Sequence, residues 1–154
     1  MTPTHALLTL LVQCEGERDS VQAELLRVSA LHQSAQAQSD QLLTYRRDYE
    51  ARWTLQFQSA SSITLVQCYL GFMQRLNLAV EQQQHVATQT ALHVERARSD
   101  LVAKELRVAT VRKLLERRGN EDRVAQARKN QKISDEFAAR SAWNRLHRDA
   151  SSAT

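Results

Sequence analysis

At 154 residues and a net charge of +4, the chain has the length of one ordinary domain but not its composition. Three glycines and one proline leave almost no helix breakers, and Gln, Ala, Arg and Leu are abundant, which excludes a turn-rich mixed fold and favours long helices. No Gly-rich phosphate loop, paired metal-binding histidine motif or nucleophile elbow occurs, so no enzymatic activity, metal or cofactor is expected.

Pro3 suits a first helical turn, where its missing N–H costs nothing, and Thr2 or Thr4 can cap it. A first helix is predicted over about residues 4–58. The apolar run from Ala6 to Val12 is too short to span a bilayer, and no Lys or Arg precedes Leu11-Val12-Gln13-Cys14, so this stretch reads as seam turns and not as a lipoprotein signal. Gly16 weakens the helix locally by about 1 kcal/mol against Ala. Every seventh residue is apolar or aromatic: Leu7, Cys14, Val21, Val28, Ala35, Leu42 and Tyr49. The companion positions are mixed, with Leu11, Leu25 and Trp53 well suited to a seam and Arg18, His32, Ser39 and Arg46 poorly suited.

A short polar turn is predicted over about residues 59–63. Thr64 with Gln67 three residues later resembles a capping box opening a second helix over about 64–118. That helix carries its own seven-residue series: Val66, Met73, Val80, Ala87, Val94, Leu101, Val108 and Leu115. Gly119-Asn120 is a plausible left-handed C-cap at which it would break. A sparser helical extension follows over about 121–148, holding Val124, Ile133 and Phe137.

If the chain folds back about Ser61, the two series meet rung by rung: Tyr49 with Met73, Leu42 with Val80, Val28 with Val94, Val21 with Leu101 and Leu7 with Leu115. A sustained seven-residue repeat keeps one edge of a helix facing its partner. The expected fold is therefore all-α, a single domain over 1–154 built as a long antiparallel two-helix coiled-coil hairpin with a C-terminal helical extension. An arm of about fifty residues would run about 75 Å. The register sets Arg18 against Lys104, which calls for outward snorkelling of both stems. It also holds Cys14 and Cys68 too far apart to bridge, as suits a reducing cytosol. His5, His32, His85, His93 and His147 are scattered; His85 and His93 stand two helical turns apart, too far for one metal.

Charge is uneven. Before residue 95 there are six basic and eight acidic side chains, and from Glu95 onward fifteen and nine. The basic excess suits nucleic acid, an acidic protein groove or an anionic membrane surface, or simply solvates a helix by alternating with acids.

Beside the turn, Gln38, Leu42, Tyr45 and Tyr49 make one helical stripe, and Phe72, Leu76, Ala79 and Gln83 repeat its spacing at the same level of the second arm. Two readings stand. The aromatics can thicken the seam where the hairpin is pinned, or they can form a docking face, since amphipathic rings beside a polar rim are favoured at interfaces. Trp53 and Tyr69, opposite each other, serve either.

The segment Leu43-Thr44-Tyr45-Arg46-Arg47-Asp48-Tyr49, the later Tyr69, Phe72, Leu76, Ala79 and Gln83, and Asp135-Glu136-Phe137-Ala138-Ala139-Arg140 together resemble the FliJ family of flagellar export proteins over nearly the whole chain. The resemblance implies a cytoplasmic component of flagellar type III export, peripheral to the inner face of the cell membrane at the flagellar base. It implies a stalk similar to that of rotary ATPases, which enters the hexameric export ATPase FliI, aids its assembly and activity, couples it to the export gate protein FlhA and assists chaperone recycling. The family's gate-docking positions fall on Gln38, Leu42, Tyr45, Tyr49, Phe72, Leu76, Ala79 and Gln83; at Gln83 a neutral amide stands where a family member can carry an imidazole. The ATPase contact would then fall at the open end, on Leu7, Leu11, Arg107, Val111, Leu114, Leu115 and Arg118. The competing readings are the stalk of a virulence secretion system and a basic coiled-coil nucleic-acid binder.

Overall fold

The computed structural model describes residues 2–59 and 62–153, which form two helices, α1 (Pro3–Ser59) and α2 (Ile63–Ser151). The described chain is all-α. Thr2 caps α1: its Oγ1 accepts from the His5 backbone N–H at 3.3 Å, with Pro3 in the first helical position. At the start of α2 the cap is Ser62, whose Oγ accepts from the Leu65 N–H at 3.2 Å. Thr64 is already inside the first turn, so the expected Thr64–Gln67 capping box is replaced by a cap two residues earlier. The fold-back centre placed at Ser61 lies outside the described residues.

The chain divides into two compact units. The first runs from Cys14 to Arg107 and holds an antiparallel pair of helices. Both seven-residue series of α1 are buried or half-buried here, the polar companion positions included: Arg18, Leu25, His32, Ser39, Arg46 and Trp53 all turn inward. In α2 the matching positions Met73, Leu76, Val80, Ala87, Val94 and Ala97 are buried. Val28, Val94 and Ala97 form one apolar cluster, with Leu25 against it. Cross-helix pairs keep one register throughout: Glu17 with Lys104, His32 with Thr90, Gln38 with Gln83, Arg46 with Asn77 and Trp53 with Tyr69 are each symmetric about position 61 to within a residue.

Of the polar companions, Arg18, His32 and Arg46 each find a partner in or beside the seam. Lys104 donates to Glu17 at 3.3 Å, and Arg107 reaches the same carboxylate oxygen at 3.3 Å. Arg18 donates to Asp19 at 3.0 Å. The expected confrontation of Arg18 with Lys104 is thus resolved by two flanking carboxylates. Gln83 donates both to the Ala35 carbonyl at 3.2 Å and to Gln38 at 3.0 Å, so the amide is satisfied on both sides of the seam, as a partly buried polar group must be.

The second unit comprises the chain ends, up to Gln13 and from Val108. Val108 and Val111 are buried, and Leu7, Leu10, Leu11 and Leu115 half-buried. From Glu116 to Ser151 every residue but Ser141 is exposed.

The expected break at Gly119-Asn120 does not occur, because α2 runs through it without a positive φ. The Asn120 side chain accepts from Arg123 one turn on instead of capping an end. A glycine inside a helix costs only about 1 kcal/mol, which the long helix on either side of it absorbs. The expected extension over 121–148 is therefore continuous with the second helix. Among the described residues, no helix is long and apolar enough to cross a membrane.

Candidate functional site

The part of the Cys14–Arg107 unit next to position 61 carries a ladder of rings. On α1, Tyr45, Tyr49, Trp53 and Phe57 follow one another at four-residue steps, which puts them on one stripe of the helix. On α2, Tyr69 and Phe72 face them. Tyr49 lies at the centre, with its ring centroid 4.3 Å from Phe72, 6.0 Å from Tyr69, 6.0 Å from Trp53 and 6.1 Å from Tyr45. Trp53 and Tyr69 meet at 5.6 Å, and Phe57 closes edge-on against Tyr69 at 5.4 Å. These separations and tilts are those that aromatic quadrupoles favour, each pair contributing about 0.5–1.5 kcal/mol beyond its buried area.

The two stripes of candidate docking residues are brought to one level. Tyr45 and Phe72 pair edge-on at 6.4 Å, and Gln38 and Gln83 are hydrogen-bonded at the far end. Their exposure divides them. Tyr45 is 50% exposed, Gln38 is exposed, and Leu42, Tyr49, Phe72, Ala79 and Gln83 are half-buried. Leu76 is buried in the seam, where it supports the face without presenting its own side chain. The result is an apolar strip with wet ring edges, flanked by Asp40, Asp48, Arg46 and Arg47. The rings divide accordingly: Tyr49 and Trp53 pack in the seam, and Tyr45 stands half out of it.

Phe57 is the ring that sequence reasoning missed; its four-residue spacing from Trp53 was the available signal. The polar pairings also went unread, since Glu17 and Thr90 carry no motif that names a partner.

The residues proposed for the open end are less uniform. Arg107 belongs to the Cys14–Arg107 unit and is held by Glu17. In the unit of the chain ends, Val111 is buried, Leu7, Leu11 and Leu115 are half-buried, and Leu114 and Arg118 are exposed. An open groove runs along α2 there, lined by Lys113, Leu114, Arg117, Val124 and Arg128 among others. Its lining mixes aliphatic side chains with charges of both signs, Glu116 and Glu121 beside Lys113, Arg117 and Arg128.

Among the described residues, no group of three or more His, Cys, Asp and Glu side chains is arranged to hold a metal. Comparison with known families gives a match over residues 4–147 to the family described as Flagellar FliJ protein. No individual curated protein matches the chain.

Proposed function

The chain belongs to the flagellar FliJ protein family, and on that premise we propose that it is a non-enzymatic stalk and adaptor of flagellar type III protein export. Membership of the family makes it a component of the flagellar export machinery. In the finer reading, the unit of the chain ends, through Leu7, Leu11, Val111, Leu114, Leu115 and Arg118, engages the hexameric export ATPase FliI and promotes its assembly and activity. The strip Gln38, Leu42, Tyr45, Tyr49, Phe72, Leu76, Ala79 and Gln83 receives the export gate protein FlhA, which places the protein at the inner face of the membrane. Escort of export chaperones belongs to the same role.

The observation that carries this reading is the alignment of the two stripes. Residues far apart in sequence, Tyr45 and Phe72, are brought together edge to face, leaving half of Tyr45 in water. Such half-wet aromatics are the usual anchors of protein interfaces.

The test is to add the purified protein to purified FliI and to the cytoplasmic region of FlhA. ATP hydrolysis by FliI should rise, and FlhA should be retained on the immobilised protein. Unchanged hydrolysis would remove the stalk role, and loss of FlhA retention from the intact protein would remove the docking role.

A further inference from the structure

From Trp53 to Gln74 the sequence contains no Asp, Glu, Lys, Arg or His, although charged residues make up 25% of the chain. This interval includes the last two turns of α1 and the first three of α2. It is not a buried interval. Ile63 is 80%, Leu55 68% and Leu70 58% exposed, and Leu65 is exposed as well. These side chains do not share one face. Leu55 follows the seam residue Trp53 by two positions and so lies on the outer side of α1, while Ile63 and Leu70, seven apart, share an outer side of α2. A protein partner would be met on one face; apolar residues on several sides suit a surrounding medium.

What borders the interval is equally specific. Arg47, Arg52 and Arg75 form a cationic collar, against Asp48 and Glu50, while Arg46 is turned into the seam. Arg47, Arg52 and Arg75 are exposed. Just inside the collar stand Trp53, Phe57 and Tyr69, ring types that collect where hydrocarbon meets headgroups. From Trp53 to Ser59 the helix rises about 10 Å, comparable to the depth to which interfacial helices sink.

We propose that the end of the helical pair bounded by Arg52 and Arg75 inserts into the headgroup layer of an anionic lipid bilayer, with Leu55, Ile63, Leu65 and Leu70 as its apolar contacts and the arginine collar on the phosphates. The insertion is peripheral. It does not rest on the docking of FlhA, and its test contains no protein partner, so either can fail alone.

The test uses full-length protein carrying Trp143→Phe, so that Trp53 is the only tryptophan, and extruded vesicles of equal parts phosphatidylcholine and phosphatidylglycerol. The protein should float with the vesicles. Trp53 emission should shift to the blue and be quenched by brominated acyl chains. Leu55→Ser with Ile63→Ser and Leu70→Ser should cut flotation at least tenfold at unchanged helix content. Leu55→Ser alone, on the outer side of α1, should cut it severalfold and serves if the triple variant loses helicity. Absence of flotation overturns the proposal. So does flotation that persists in these variants without quenching of Trp53, which would make the basic C-terminal half an electrostatic adsorber. If the intact protein self-associates in sedimentation, ignores vesicles, and the triple variant is monomeric, the occupant is a second copy and the proposal falls.

Discussion

His32 and Thr90 meet across the seam, Nδ1 to Oγ1 at 3.1 Å. The Thr90 hydroxyl also lies 2.9 Å from the Ala87 carbonyl and 3.0 Å from that of Val86, one turn back on its own helix. Its hydrogen is committed there, so the His32 Nδ1–H donates and the Thr90 oxygen accepts. A polar layer of this kind lowers stability relative to an apolar one and fixes alignment.

Thr90→Val should therefore destabilise the protein by about 1 kcal/mol, by leaving the imidazole N–H unpaired in a half-buried position, while adding His32→Leu should restore stability to the parent level or above it. Thermal melts followed by circular dichroism measure both. Spin labels on residues 28 and 94 should report a broader distance distribution in the double variant, since the layer that sets register is gone.

Val94 lies in the apolar cluster with Val28 and Ala97 and is 6% exposed. Val94→Asp should cost about 3 kcal/mol or more, because the carboxylate has neither a cation nor water beside it. Helicity and melting temperature should fall together. An unchanged melt would be incompatible with this seam.

Tyr45 and Tyr49 should separate in their effects. Tyr49 touches four rings, and Tyr49→Ala should lower stability by about 3 kcal/mol. Tyr45→Ala with Phe72→Ala should leave helix content nearly intact while weakening retention of the FlhA cytoplasmic region at least tenfold. If the fold were lost first, the rings would be structural only.

Gly119→Ala should stabilise α2 by about 1 kcal/mol, because a Cβ there meets nothing within 4 Å and the backbone is helical. Amide exchange around residues 115–123 should slow. A break at this site would give the opposite sign, as alanine is disfavoured in a left-handed cap.

The seam was legible because burial leaves a seven-residue mark on the sequence, and two such marks have few ways to align. Ser39 and Arg46 were misfits by composition, yet they obey the period and turn inward. The accommodation of Arg46 depends on Asn77, a partner that only coordinates can supply: Arg46 donates to it at 3.2 Å. At both expected helix ends the local motif did not decide: Ser62, not Thr64, caps α2 through the Leu65 N–H, and Gly119 stayed helical within a long helix at a cost of only about 1 kcal/mol. The two stripes of the candidate docking strip were legible as spacing, but the division between Leu76, which is covered, and Tyr45, which is not, required the pairing itself.

The solitary stretch of α2 after Leu115 has a consequence for how the molecule comes apart. Exposed on nearly all sides among the described residues, it depends for its order on local bonds such as those of Gln126 with Asn130 and Gln131 with Asp135. Limited trypsin digestion should trim that stretch at its arginines and lysines while the paired arms resist, so the protease ladder should end in a fragment containing Cys14–Arg107. Any ligand that clasps the stretch will announce itself by erasing those early cuts.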